Sequence, residues 1–280
     1  MSTEQGIEQG GQARARTAAG AWWAVSDALA AAERVITKLR HDQTALGLTI
    51  GAPLILVLVF GYIFGSAISV PGGGNYRAYL VPGLFVMIAA NITPSMVGMA
   101  RDASRGVVER FRSLPIARAA VPAGQATATA LYGVVNFVLM ALCGLAVGWR
   151  IERGAGDALA ALGLLVAFQF AMTWMGLYLG LLIGRPDAAA QATILLFPVT
   201  GLSNVFVPTS GMPAWLRAIA DWNPVSALAA AARQLFGNPV APANGAWPLE
   251  HPVAASLGWT VLLLAVFVPL CTARYARGPK

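Results

Sequence analysis

Long stretches with no charged residue alternate along this chain with short segments that carry nearly all of its arginine. The uncharged runs are 43–76, 78–100, 119–149, 158–184, 188–216 and 252–273. A helix needs about 20 consecutive apolar residues to cross the hydrocarbon core of a bilayer. The pattern therefore predicts six spanning helices, at about 45–66, 79–100, 121–148, 158–184, 188–208 and 253–273, inside a membrane domain covering 43–273. The run 234–249 is also uncharged, but it is short and interrupted by Asn238-Pro239, Pro242, Asn244-Gly245 and Pro248.

The segments outside these runs have patterns of their own. Residues 1–16 are polar and glycine-rich, and they read as a disordered tail rather than the apolar core of a signal peptide. Over 17–42, Trp22, Val25, Leu29, Ala32, Ile36 and Leu39 recur every three or four residues, with Asp27, Arg34 and Lys38 opposite. That is the signature of an interfacial helix, with Trp22-Trp23 at headgroup depth. An ordinary solvated helix packed on a partner is the alternative.

Between spans five and six, Pro213 suits a helix start and Trp215, Leu216 and Ile219 give an apolar face. Asn223-Pro224 then breaks the chain, and a second helix runs from about Val225 to Phe236, with Gly237 as its stop. At 1.5 Å per residue it is about 18 Å long, too short to span. Two such helices read as a re-entrant pair able to plug one mouth of a pathway, or as a surface cap on the bundle. The fold class expected is all-α integral membrane: six transmembrane helices, an N-terminal interfacial helix and two short re-entrant outer helices.

Composition narrows the class. Of 280 residues, 57% are hydrophobic and 11% charged. Soluble domains carry about 25% charged residues, so too few charges are present to cover a water-facing surface, and the chain reads as a polytopic membrane protein. The net charge of +7 does not imply nucleic acid, because the basic residues sit between apolar runs. Fourteen Lys and Arg fall on one side of the six-span arrangement: the N-terminal segment, the loop 101–118, Arg185 and the tail 274–280. Five fall on the other: Arg77, Arg150, Arg153, Arg217 and Arg233. The positive-inside rule then places both termini in the cytoplasm of a multi-pass plasma-membrane protein. Cys143 and Cys271 lie in apolar stretches with no metal-ligand spacing and read as buried hydrophobes.

Candidate chemistry is sparse. The chain has no GxxxxGK[ST], no HExxH, no GxSxG and no His/Cys cluster, so it carries neither a P-loop nor a recognisable hydrolase or metal motif. Its apolar runs lack ionisable groups at membrane depth, which weighs against a proton-coupled carrier. Asn91, Asn136, Gln169, Thr200 and Asn204 are the neutral polar residues that could face a path for an amphiphilic substrate, and interhelical hydrogen bonding is the plainer reading. Pro94 and Pro198 are expected to kink spans two and five. Gly176, Gly180 and Gly184 form a small-residue ladder suited to close helix packing within the subunit.

The loop 101–118 is the most distinctive segment. Helical spacing puts Arg101, Arg105 and Arg112 along one side, Val108, Phe111 and Leu114 form an apolar edge, and Pro115 stops the helix. From the residues alone, a docking surface for a soluble partner and an orienting loop against lipid phosphate are equal alternatives.

The same loop reads Arg105-Gly106-Val107-Val108-Glu109-Arg110-Phe111, then Leu114-Pro115-Ile116-Ala117-Arg118. It resembles the loop after span two of exporter-type ABC permeases of the second class, including the daunorubicin-resistance group of actinobacteria. Val107 stands where that pattern usually has threonine. A second match is Phe206-Val207-Pro208, Met212-Pro213-Ala214-Trp215-Leu216 and Asn223-Pro224-Val225, which resembles the family's outer-loop pattern before the last span. The likeness covers about residues 20–275.

The resemblance implies a permease with no nucleotide site of its own and no catalytic residue. It would pair with a separate cytoplasmic ABC ATPase that holds ATP and Mg, and with a second permease copy or a paralogue. It implies an ATPase-coupling loop of Arg101, Arg105, Gly106, Glu109, Arg110, Phe111, Pro115 and Arg118. It also implies outer gate helices carrying Phe206, Pro208, Pro213, Trp215, Asn223 and Pro224. The expected function is the transmembrane subunit of an ATP-driven exporter of an amphiphilic drug, antibiotic or lipid. The alternative is a non-transporting membrane assembly or sensor protein that docks a cytoplasmic partner through the basic loop.

Overall fold

The computed structural model describes residues 75–108, 120–243 and 245–277, with the isolated positions 55, 58 and 59. The expected tail 1–16, the interfacial helix 17–42, the first span at 45–66 apart from those three positions, and the loop residues Glu109, Arg110, Phe111, Pro115 and Arg118 lie outside the described residues. The described part is all-helical. Its helices are α1 (Tyr76–Ala90), α2 (Thr93–Ser104), α3 (Ala120–Ala146), α4 (Ala155–Ile183), α5 (Pro186–Gly201), α6 (Ala214–Asp221), α7 (Pro224–Phe236), α8 (Trp247–Glu250) and α9 (Pro252–Arg277), with a 3-10 turn at Thr209–Gly211.

Among the described residues, four helical stretches are long and apolar enough to cross a membrane: Tyr76–Ser104, Val121–Ala146, Ala155–Ile183 and Pro252–Arg277. α4 is the hub, packing against α1, α2, α3, α5, α7 and α9. Its sequence is apolar around its whole circumference, as a helix surrounded by neighbours must be. It starts at Gly154 and ends at Gly184, whose φ of 65° is the left-handed conformation that closes a helix. The large aliphatic side chains left bare lie on the outer faces, at Val138 and Leu142 of α3, Ile194 and Leu195 of α5, and Val261 and Leu262 of α9. Contiguous exposed apolar surface of this kind is what a bilayer covers.

The glycine ladder works inside the subunit. A Cβ on Gly176 would collide with Ser95 Oγ and lie 2.9 Å from the Ile92 carbonyl. A Cβ on Gly180 would collide with the Met96 carbonyl and lie 2.9 Å from Met99 Cβ. α2 therefore lies almost backbone to backbone on α4.

Two expected spans differ from the sequence reading. The second is two helices rather than one, because the chain opens at Asn91–Ile92. Pro94 has no N–H, and its ring would strike the carbonyl of Ala90, the last residue of α1. The Asn91 side chain caps the restart by accepting from the Thr93 N–H at 3.1 Å. The expected fifth span reached 208, yet α5 ends at Gly201. Pro198 lies within its last turn, and the residues beyond leave the helix to make the tertiary hydrogen bonds described below.

Buried side chains gather in two main clusters at opposite ends of the Tyr76–Ser104 span. At the Tyr76 end, Phe85 meets Phe137, Trp149 and Phe236 at ring-centroid distances of 5.7–6.1 Å, and Trp149 stands edge-on to Phe236 at 5.2 Å. At the Ser104 end, Met99, Val108, Trp174, Leu181, Cys271 and Tyr275 pack together.

Candidate functional site

The break in the Tyr76–Ser104 span falls near its middle. Irregular backbone at membrane depth survives only where protein buries it or a water-filled cavity receives it. Here Ser95 Oγ donates to the Ile92 carbonyl at 2.8 Å and α4 covers one side through Gly176. The other side opens on a cavity of about 220 Å³. Met87, Ala90, Asn91, Ile92 and Thr93 line it from the break, Met172 and Met175 from α4, Thr193 and Thr200 from α5, and Val225 from α7. The lining combines three methionines, which adapt to irregular apolar shapes, with hydroxyls and one amide. No lining residue carries a charge. Such a surface suits an amphiphile whose polar groups are hydrogen-bonding and uncharged.

Of the five expected path residues, Asn91 and Thr200 line this cavity. Asn136 is half-buried on α3 and outside the lining. Gln169 is buried against Gly133 of α3, its Nε2 reaching the Thr129 carbonyl only at 3.5 Å, and its Oε1 has no hydrogen-bond partner. Asn204 belongs to a different constellation.

That constellation centres on Arg233 of α7, which is 0% exposed. Its Nε donates to the Tyr79 carbonyl at 2.9 Å, and its Nη1 donates to Asn204 Oδ1 at 3.3 Å. Its Nη2 donates to the carbonyls of Asn204 and Val205 at 3.0 and 2.9 Å. The guanidinium carbon sits 3.5 Å over the Tyr79 ring. Among the described residues no carboxylate pairs with it. Tyr79 Oη donates to the Asn204 carbonyl at 2.7 Å, Tyr76 Oη donates to the Phe206 carbonyl at 2.9 Å, and the Asn204 N–H donates to Ser226 Oγ at 3.0 Å. One cation thus joins α1, α7 and the turn after α5. Sequence reasoning counted Arg233 as a loop charge and missed this role.

The expected gate residues surround the same end. Phe206 lends its carbonyl to Tyr76, and Pro208 is buried. Pro213 precedes α6, and Trp215 on α6 is 68% exposed. Asn223 caps α7 by accepting from the Val225 N–H at 2.8 Å, while its Nδ2 donates to the Leu202 carbonyl at 2.9 Å. Pro224 is the first residue of α7. Thr209 Oγ1 donates to the buried Asp221 at 2.6 Å and so ties the 3-10 turn to the end of α6. α7 stops at Gly237, whose φ is 77°.

The family model for the ABC-2 type transporter membrane domain matches residues 28–236, most of the chain. The chain belongs to the ABC-2 transporter family. It is 31% identical over 254 residues to the daunorubicin resistance ABC transporter permease protein DrrB1 of Streptomyces coeruleorubidus, covering 90% of this chain and 87% of that protein. It is 25% identical over 255 residues to the probable doxorubicin resistance ABC transporter permease protein DrrC of Mycobacterium tuberculosis, covering 88% and 87%. It is 26% identical over 237 residues to the doxorubicin resistance ABC transporter permease protein DrrB of the same organism, covering 81% and 82%. These relatives are permease subunits of ABC transporters, and the resemblance read from the loop and outer-segment motifs is to the same group.

In this ABC-2 permease the described start of the loop 101–118 is not one continuous helix. α2 ends at Ser104, and the Arg105 N–H returns to the Arg101 carbonyl at 3.1 Å. Gly106 turns the chain at φ 69°. Arg101 and Arg105 therefore stand before a turn at Gly106, and Arg112, expected on the same side, lies outside the described residues. Arg101 and Arg105 are both exposed at the C-terminal end of α2, where positive charge complements the helix dipole. Val108, read as part of the loop's apolar edge, is 1% exposed and packs with Tyr275 and Cys271 of α9. Gln125 at the start of α3 donates to Asp102 Oδ2 at 2.7 Å. The base of the loop is thus held by α3 on one side and by α9 on the other.

Proposed function

We propose that this chain is the membrane-spanning permease subunit of an ATP-driven exporter that moves an amphiphilic drug, antibiotic or lipid out of the cell. The observation that carries the reading is the uncharged, methionine-rich cavity at the broken span of an ABC-2 chain. The names of its relatives point the same way, since they tie those proteins to daunorubicin and doxorubicin resistance. A whole drug-sized ligand needs a pocket of about 300–1,000 Å³. The cavity at about 220 Å³ is smaller, so it must widen before it holds a whole cargo molecule.

The proposed topology is six spans with both termini in the cytoplasm. A first span would precede Asn75, and α5 with the turn that follows it would form the fifth. The Tyr76 end then faces outward, and α6 and α7 form the re-entrant outer pair. The Ser104 end faces the cytoplasm. There the loop 101–118 meets the partner ATPase, which would hold ATP and Mg, and a second permease copy or a paralogue completes the transporter. ATP binding favours one conformation over the other by its differential affinity for the two. This chain's part is to carry that difference from the loop to the cavity.

Gentle-detergent purification of the tagged chain from its native membrane, followed by mass spectrometry, tests the assignment. Recovery of a stoichiometric soluble subunit bearing GxxxxGK[ST] is expected. ATP-dependent efflux of a fluorescent anthracycline from vesicles holding the purified complex is expected with it. A complex in which no such ATPase is found under crosslinking would instead favour a membrane assembly or sensor protein, and would overturn the export reading.

A further inference from the structure

On the Tyr76 side of the cavity, one buried cation holds the backbone of the turn after α5 against α1. One helical turn from Met87 towards Tyr76 is Gly83, and one turn beyond Thr200 is Asn204. These two positions are in contact: a Cβ on Gly83 would lie 2.7 Å from the Val205 carbonyl, 3.0 Å from Val205 Cγ1 and 3.3 Å from Arg233 Nη2. Ser226, next to the lining residue Val225, accepts from the Asn204 N–H. The segment Ser203–Val205 therefore continues from the cavity-lining part of α5 towards the Tyr76 end, pressed onto a part of α1 that has no side chain. Val205 is 0% exposed and Asn204 is 1% exposed, so the turn is packed tightly against its neighbours.

We propose that Arg233 is the positioning residue of a closure: it latches the turn Ser203–Val205 over the cavity, and the latch must release for cargo to leave. Three of its four hydrogen bonds go to that turn and the fourth goes to α1, while the residue itself belongs to α7. Withdrawing the turn from Gly83 breaks the Asn204 and Val205 contacts together, so opening is cooperative rather than gradual.

The chemistry of the latch also makes it releasable. A guanidinium keeps its charge under all physiological conditions, and this one is satisfied by neutral acceptors and an aromatic face, with no counter-ion among the described residues. Burying such a charge carries a large desolvation cost. Water that enters as the turn lifts returns hydration to the cation, which offsets the lost hydrogen bonds. An arginine paired with a carboxylate would give a deeper and less reversible closure.

The latch as an exit gate rests on the export reading, so its test uses a readout that needs no cargo. Met87→Cys, on the cavity wall just inside the closure, is introduced into the full-length chain with Cys143 and Cys271 replaced by alanine. The chain is expressed with its partner ATPase in cells and in inverted vesicles. A membrane-impermeant maleimide is applied from each side in turn. With Arg233 present, labelling from outside is slow. Arg233→Gln is expected to raise the outside rate about tenfold or more, because losing hydrogen bonds to a charged group shifts a two-state equilibrium by at least that factor. Arg233→Lys, which keeps the charge but loses the fork of donors, gives an intermediate rate.

Gly83→Ala leaves Arg233 intact and wedges the turn from the opposite side, so it is expected to reproduce the rise. It decides the matter alone if Arg233→Gln fails to reach the membrane. An exposed Arg101→Cys reporter in each background checks that the fold is kept. Unchanged outside labelling of Met87→Cys in folded Arg233→Lys and Gly83→Ala proteins overturns the latch, as does a rise confined to the cytoplasmic side. Loss of efflux in the wild-type complex would count against export and leave the labelling result to judge the latch.

Discussion

Gly180 of α4 faces the Met96 carbonyl of α2 so closely that a Cβ there would collide with it. The broken half of the Tyr76–Ser104 span is thus held by backbone proximity in addition to side-chain packing, and such close approach is how small residues join helices in a bilayer. Gly180→Leu is expected to force the pair apart at a cost of about 1–3 kcal/mol, the usual penalty of overpacking. Gly163→Leu, on the same helix with nothing within 4 Å of its Cβ position, is expected to be tolerated. Thermal unfolding in detergent, followed by size-exclusion, compares the two. A similar loss for both would mean that the ladder has no special role.

A second prediction concerns the tie between Gln125 and Asp102 at the Ser104 end. Asp102→Ala strands the Gln125 amide, whose Oε1 already has no hydrogen-bond partner. An unsatisfied buried polar group costs about 1–3 kcal/mol, so a modest fall in thermal midpoint is expected. Asp102→Asn, which keeps an acceptor oxygen, is expected to recover most of it.

The cavity yields a third. Met175→Trp fills it from α4, and Asn91→Leu removes its amide. Both are expected to reduce efflux several-fold. Assembly with the ATPase, measured by co-purification, is expected to stay unchanged, because neither residue lies at the Ser104 end. Normal efflux in both variants would move the cargo path elsewhere.

How much of this was legible in the sequence depends on where each signal resides. The helix from Pro224 to Phe236 could be read because its start and stop are local: Asn223-Pro224 at one end and Gly237 at the other. Close packing of α4 within the subunit could be read from Gly176 and Gly180, but not that α2 is the partner, and Gly184 closes the helix instead. Pro94 announced an irregularity, but the full break at Asn91–Ile92 also needed the Asn91 cap and the bare flank at Gly176, which belong to different elements.

Arg233 could not be read in this way. Its acceptors are mainly backbone carbonyls at Tyr79, Asn204 and Val205, which no residue type announces, and they lie 154, 29 and 28 positions away. Counting charges by loop assigned it to solvent, because the count is blind to tertiary burial. Asn204 looked like a path residue for the complementary reason: an amide in an apolar run shows that it needs a partner, not which partner it has.

The last prediction concerns Glu109. It follows Val108, whose side chain is fixed in the cluster with Cys271 and Tyr275. In the proposed complex, the loop beyond Val108 transmits movement between the ATPase and the bundle, and Glu109 is one of two acidic residues, with Asp102, among the five arginines of 101–118. Glu109→Lys is expected to leave insertion and the bundle intact, because its neighbour Val108 carries the packing, and to abolish cargo-stimulated ATP turnover in the reconstituted complex. Glu109→Gln, which removes charge without reversing it, is expected to fall between. The discriminating control is Val108→Asp, which buries a carboxylate among apolar side chains and is expected to lower thermal stability together with turnover. Stimulated turnover unaffected by Glu109→Lys would remove this loop from the coupling path. A fall in thermal stability as large as that of Val108→Asp would make Glu109 a structural residue rather than a coupling one.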